Sequence, residues 1–334
     1  QDRFPLEYKD IEPDTSSEYI TMDLDRCISC GRCIRTCEEV VGNETLNFGN
    51  RGRETTIIAD SGVPLGDSSC TTCGACVQAC PTGSLYSQLS AYKGRERDCE
   101  VETTTCSECS VGCELQAFTN SGRIVKIEGN EEGEYGGQLC EMGRFELLDD
   151  RRDRVDQPQI DGESVDLDVA LEAVTDALAD ANSINAVASD RLPTETLDAF
   201  AEAMDAFDAD LEIPGATRRA TEVSIQEELA AEGYEPLQAA ALEDILEAEG
   251  IVVYDTSIVD SHPVAASYVR RAANDGAELV TVDGEADQLK RFSDNSLTVG
   301  SPLAQATAEA AGAVADGGSA SPVAGVADAA TSAL

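Results

Sequence analysis

The sequence predicts three successive architectures: an α+β module, a small β-rich module, and an α/β doubly wound, Rossmann-like region. Three observations carry this. All 13 cysteines fall between positions 27 and 140, in two four-cysteine runs, one three-cysteine group and two single positions. Two strand-like segments joined by Ser-Gly follow the third group. The cysteine-free residues 141–334 alternate short apolar runs with segments of helical period, the pattern of a parallel sheet.

The first run, CISCGRCIRTC, begins at Cys27, and the second, CTTCGACVQACP, at Cys70. Both read C-x2-C-x2-C-x3-C. Three thiolates on a short turn grip three corners of one [4Fe–4S] cube, and the fourth cysteine reaches the other cube. Cys27, Cys30, Cys33 and Cys80 are therefore expected to hold one cluster. Cys70, Cys73, Cys76 and Cys37 are expected to hold a second. Gly31 and Gly74 let the backbone wrap close to sulfide. This is a ferredoxin-like α+β arrangement, assigned to residues 1–98. Zinc is the competing metal, but zinc ribbons use two C-x2-C pairs rather than four-cysteine runs. A disulfide scaffold would be short and would not group its thiols this way.

The third group, CSECSVGC, supplies Cys106, Cys109 and Cys113 and lacks a fourth ligand. The segments ELQAFTN and RIVKIEGN form a hairpin that returns Cys140 to this group. Twelve cysteines then divide into three [4Fe–4S] cubes. Cys99 is left over, read as a small, partly buried thiol, with exchange for Cys140 as the alternative. Residues 99–150 form this β-rich module.

Beyond it, residues 151–164 read as a linker or extended crossing segment, and the α/β region runs over 151–312. LDVALEAVTDALADA has helical spacing, and INAVAS is a short strand. TETLDAFAEAMDAF is a helix capped by Thr194, and ALEDILEAEG is a helix stopped by Gly250. IVVYD, AELVTVDG and SLTVGS are strands. HPVAASYVRRAANDG is a helix opened by Pro263 and closed by Gly276. Residues 313–334 form a flexible tail of small residues. No G-x-G-x-x-G or phosphate loop of the Walker type occurs, so nothing supports NAD or nucleotide binding by this chain.

The formal net charge is −42, from 23 basic and 65 acidic residues spread along the whole chain. Such charge opposes compaction at low salt. At about 1 M salt the screening length falls to roughly 3 Å and the repulsion fades. A halophilic, salt-requiring protein is expected, and nucleic acid is excluded as a partner because its phosphates would be repelled. No apolar stretch is long enough to span a membrane, and the N-terminus has no secretory h-region, so a cytoplasmic location is expected. The first residue is Gln rather than Met, which points to residues upstream.

The motifs DLDRCISCGRCIRTCEEVVGNETLNFGNRG, SSCTTCGACVQACPTGSL, TTTCSECSVGCEL and GGQLCEMGRF together resemble two related groups. One is the catalytic subunit of formate dehydrogenases in the molybdopterin oxidoreductase superfamily. The other is the large iron–sulfur subunit of respiratory complex I. The resemblance continues more weakly to about residue 310. It implies a [2Fe–2S] domain upstream or on a partner, and a flavin-containing NAD(H) subunit among the partners, with ferredoxin- or quinone-linked subunits beyond. It also implies that the loop around His262 lies near a pterin. The residue reading favours His262 as the cap of its helix instead.

Three departures argue against a complete molybdopterin site on this chain. The stretch LEIPGATRRATEVSIQEELA lacks the family's Cys or selenocysteine. The chain stops before the family's further pterin-enclosing domains. Where active relatives often read Cys-x-Lys-Gly, this chain reads Cys140-Glu141-Met142-Gly143, and a thioether has no ammonium's charge or donors. The expected function is electron relay through three clusters. The alternatives are a split molybdenum or tungsten formate dehydrogenase with catalytic domains on another chain, and a non-redox scaffold.

Overall fold

The computed structural model describes residues 11–149, 155, 157–189, 192–213, 240–254, 258–282, 289–293 and 295–297. It divides into two compact units: residues 150–239, and the remainder, in which residues 240–297 join the cysteine-rich modules. The loop 283–288, most of the stretch 211–230 and the tail 313–334 lie outside the described residues.

The cysteine-rich part opens with β1 (Ile20–Met22), paired antiparallel with β4 (Leu85–Ser87). Between them lie the two four-cysteine runs and the antiparallel pair β2 (Leu46–Gly49) and β3 (Thr56–Ala59). Each run ends in a short helix, Arg32–Arg35 in the first and Ala75–Ala79 in the second. The core beneath them combines Ile20, Leu46, Ile57, Leu85 and Phe145 with Cys33 and Cys76. Tyr19 stacks on Phe145 with ring centroids 5.1 Å apart. Such pairing adds about 1 kcal/mol beyond area burial.

The β-rich module is a three-stranded antiparallel sheet, β5 (Glu100–Thr105), β6 (Glu114–Asn120) and β7 (Arg123–Gly129). The expected hairpin is β6–β7. Ser121 and Gly122 turn it with φ of 54° and 75°, both left-handed, as a two-residue type I′ loop requires. β5 pairs with β6 over six residues and adds a third strand to the expected hairpin.

In residues 150–239, a two-residue pair, β8 (Gln159–Ile160) and β9 (Glu163–Ser164), turns through Asp161 and Gly162 in place of the expected linker. The helix Leu167–Ala179 forms as its spacing predicts, and β10 (Asn185–Val187) pairs parallel with β11 (Asp210–Glu212). The helix Thr194–Asp205 corrects one expectation. Pro193, not Thr194, occupies the capping position, and no side chain caps the first turn.

A separate parallel sheet follows in the other unit: β12 (Gly250–Tyr254), β13 (Glu278–Val282) and β14 (Asn295–Leu297). ALEDILEAEG folds as a 3-10 helix over Leu242–Glu247, and Gly250 opens β12 rather than stopping an α-helix. The Asp244 carboxylate accepts the Ala241 amide at 2.8 Å and holds that first turn. The helix Pro263–Asn274 has Pro at its first position, as expected. It buries Val264 and Tyr268 against the third cysteine group and Val269 and Ala266 against the parallel sheet. Ser267 Oγ donates to Gln138 Oε1 at 2.7 Å, and Arg291 Nη2 donates to the Asn43 carbonyl at 2.7 Å. These contacts attach the C-terminal sheet to the cysteine-rich modules.

Candidate metal centres

The two four-cysteine runs fold as near copies. Ser29 and Thr72 both have φ of 53°, and Gly31 and Gly74 have φ of 71° and 70°. The Ser29 amide donates to Cys27 Sγ and the Thr72 amide to Cys70 Sγ, each at 3.4 Å. Gly74 is needed twice over: its φ suits a residue without Cβ, and an added Cβ would lie 2.4 Å from Arg144 Cδ. The runs differ at their fourth cysteine. Cys37 lies in a π-turn, Thr36–Val40, while Cys80 is extended at the end of its helix, before Pro81.

Spatially the fourth cysteines cross over. Cys27, Cys30, Cys33 and Cys80 line one cavity, closed by Ile57, Leu85 and Pro81. Burial pushes the Cys33 thiol up to about 11, with Cys27, Cys80 and Cys30 adding repulsion. Burial raises the Cys76 thiol well above its ordinary value, with Cys70, Cys73 and Cys37 acting in the same direction. Burial and the nearby Cys73 push Cys70 to about 12. At Cys80 burial acts upward, but hydrogen bonds from Leu85, Thr82 and Ser84 together hold the thiol below its ordinary value.

Cys140 packs with the third group. Cys106, Cys113 and Cys140 are buried in one apolar cluster with Leu115, Ile127 and Leu139. Burial lifts Cys113 to about 12, with Cys106, Cys109 and Cys140 adding to it. Cys140 is raised to about 11 by burial, and Cys106 and Cys109 act on it in the same direction. The Cα of Gly143 packs so closely that a Cβ there would meet Cys106 Sγ at 3.2 Å. Cys99 stays outside this group. It is half-buried, and its Sγ lies 3.4 Å from the Arg95 carbonyl. Of the twelve grouped cysteines, Cys30 alone is exposed.

His262 does not cap its helix. It stands at the capping position with no side-chain bond to the first turn. Nε2 is 3.0 Å from Ser110 Oγ and Nδ1 is 2.9 Å from Ser261 Oγ. Ser110 lies between Cys109 and Cys113, so the imidazole braces the third cysteine loop. A side chain already committed to a hydroxyl on another element is a poor cap.

Sequence reasoning missed two buried arginines beside the second run. Arg144 Nε donates to the Cys73 carbonyl at 2.8 Å and Nη1 to Gln78 Oε1 at 2.9 Å. Gln78 in turn receives the Gly129 amide at 3.1 Å, joining the second run to the end of β7. Arg270 lines a cavity shared by Cys73 and Cys140. In sequence both look like solvated cations; only the packing shows them buried.

Grouped thiols, backbone amides aimed at sulfur and apolar walls fit iron–sulfur clusters, whose ligands are thiolates tuned by such hydrogen bonds. Among the described residues, no three His, Cys, Asp or Glu side chains close tightly enough for a single metal ion.

Comparisons with known proteins agree. Residues 17–86 match the model of the NADH-quinone oxidoreductase subunit 3 ferredoxin-like domain, and residues 99–147 the molybdopterin oxidoreductase Fe4S4 domain. The NADH-quinone oxidoreductase G 2 subunit of Rhizobium meliloti is 30% identical over 77% of this chain and 30% of its own length. NADPH-Fe(3+) oxidoreductase subunit alpha of Geobacter sulfurreducens is 32% identical over 48% of this chain and 19% of its own. NADH-quinone oxidoreductase subunit 3 of Thermus thermophilus is 38% identical over 39% of this chain and 16% of its own. The chain thus spans less than a third of these relatives' lengths. Among the described residues, no helix is long and apolar enough to cross a membrane. The chain carries a ferredoxin-like domain followed by a molybdopterin oxidoreductase Fe4S4 domain, and its homologues are the G-type subunits of NADH-quinone oxidoreductases and formate dehydrogenase-like proteins.

Proposed function

We propose that this chain is an electron relay with three [4Fe–4S] clusters, working as one subunit of a larger cytoplasmic oxidoreductase. Cys27, Cys30, Cys33 and Cys80 hold the first cluster, Cys70, Cys73, Cys76 and Cys37 the second, and Cys106, Cys109, Cys113 and Cys140 the third. The observation that supports this is the spatial grouping of thiols: Cys27, Cys30, Cys33 and Cys80 line one cavity, and Cys106, Cys113 and Cys140 share one apolar cluster.

When bound, each cluster supplies one-electron chemistry. The protein's part is to hold the clusters at fixed spacing, exclude water and set their potentials. Cys73 and Cys140 line one cavity, which supports transfer between the second and third clusters. The exposed Cys30 makes the first cluster the point of exchange with a redox partner, and a flavin-containing, NAD(H)-oxidising subunit fits that role. A [2Fe–2S] cluster belongs on such a partner or on sequence upstream. Residues 240–297 serve as the opening part of a doubly wound α/β domain.

The match of residues 99–147 to the molybdopterin oxidoreductase domain favours a second reading, a split molybdenum or tungsten enzyme whose catalytic domains lie on another chain. A metal inventory of the native complex separates them. The relay predicts iron near twelve atoms per chain without molybdenum or tungsten, at about four per cluster. About one molybdenum or tungsten per complex establishes the split enzyme instead.

A further inference from the structure

Two arginines are buried with donors to spare. Among the described residues, three buried side-chain nitrogens and oxygens lack a hydrogen-bond partner: Nη2 of Arg144 and Nε and Nη1 of Arg270. Arg144 is 3% exposed and Arg270 is 1% exposed. A guanidinium carries five N–H donors and stays charged in proteins. Burying it with open donors is costly unless an anion completes the site.

Arg270 and Cys73 line the same cavity, and Arg144 donates to the Cys73 carbonyl. Burial pushes Arg270 down to about 10 and lowers Arg144 as well, and Cys73 is the foremost opposing influence on each. At Arg270, Arg291 acts against the charged form and Cys37 acts with Cys73, while Glu128, Cys76 and Cys140 also favour the charged Arg144. The two arginines come from separate elements, the π-turn Met142–Glu146 and the helix Pro263–Asn274. Arg144 is partly engaged through Cys73 and Gln78, whereas Arg270, with two unpartnered nitrogens, lines the cavity that Cys73, Cys140, Thr71 and Ala75 also line. Neither contact would be needed to hold a helix against a sheet, where an apolar side chain of similar volume serves as well.

We propose that Arg270, assisted by Arg144, is the potential-setting partner of the cluster on Cys70, Cys73, Cys76 and Cys37, donating its free N–H groups to the cluster's sulfur atoms. This rests on the proposal that these cysteines hold a cluster. Reduction adds one electron to that cluster and makes or breaks no bond. A fixed cation beside it favours the reduced form, because the added negative charge is attracted in a low-dielectric site. In a chain of net charge −42, two buried cations keep this cluster from becoming the step that electrons avoid. Arginine suits the role because it is weakly hydrated and keeps its charge when buried. Arg270 thus acts on the cluster directly, through its charge and its donors.

The test uses the full chain, loaded anaerobically with iron and sulfide, in wild-type, Arg270→Gln and Arg270→Lys forms. EPR-monitored redox titration follows every cluster. In Arg270→Gln, one of the signals should bind its electron about tenfold more weakly, a fall of about 59 mV for one electron, while the others stay in place. Arg270→Lys should recover most of that shift by restoring the charge. Unchanged potentials in an Arg270→Gln chain with full iron overturn the inference alone. A wild-type chain that takes up no iron overturns the cluster proposal beneath it as well. Should Arg270→Gln fail to load, the urea midpoint of the cluster-free chains decides. An unchanged or higher midpoint in the variant supports a role toward the cluster. A lower midpoint makes Arg270 a structural residue and overturns the inference.

Discussion

Replacing Cys80 by serine is expected to remove the cluster of the first run, although Cys80 belongs to the second. Iron should fall from about twelve to about eight atoms per chain, one four-iron cluster. The EPR signal lost should be the one that Cys30→Ser also removes. Cys37→Ser should likewise share its lost signal with Cys73→Ser. The crossing follows from geometry: Cys80 completes the cavity of Cys27, Cys30 and Cys33, and the thiol of Cys37 acts on Cys76 and Cys70. If Cys80→Ser instead shares its loss with Cys73→Ser, the runs bind without crossing. Stability should fall with the iron, since ligand binding to a site absent from the unfolded chain contributes its free energy to folding.

The second large effect is that of salt. With 65 acidic against 23 basic residues, the folded chain concentrates negative charge that the unfolded chain spreads out. Among the basic residues at hand, two are buried at the second cysteine group and do nothing for the surface. Raising KCl from 0.1 M to 3 M should lift the melting temperature by on the order of 10 °C, a few kcal/mol for a chain of this size. Calorimetry or circular dichroism at fixed iron loading measures it. Equal melting at both salt concentrations would remove the case for a salt-requiring protein.

Much of the site is legible in the sequence because cluster ligation is a constraint on spacing. C-x2-C-x2-C admits few backbone paths, and the structure uses the same left-handed residue and glycine in both runs. The placement of Cys140 beside Cys106 and Cys113 is legible from a Ser-Gly turn between two strands. Residues whose signal is local but weak escape such a reading. β5 has only a run of Thr and Val to mark it, and the β8–β9 hairpin has an Asp-Gly pair inside a segment that otherwise reads as linker. Residues whose role depends on distant packing carry no local signal at all. Arg270 sits in a helix whose exposed-looking Arg pair reads as a solvent face, yet that helix is clamped between the third cysteine group and a parallel sheet. His262 reads as the cap of its own helix because Ser110, its partner, is 152 positions away.

The grouped thiols are expected to carry working redox centres. The direct measurement is a potentiometric titration of the loaded chain, followed by EPR from oxidised to fully reduced. Three clusters are expected, each taking up one electron reversibly within the range of about −700 to +450 mV open to protein clusters. Bound iron that cannot be reduced in that range, or zinc in place of iron, would contradict this and leave the cysteines as folding staples.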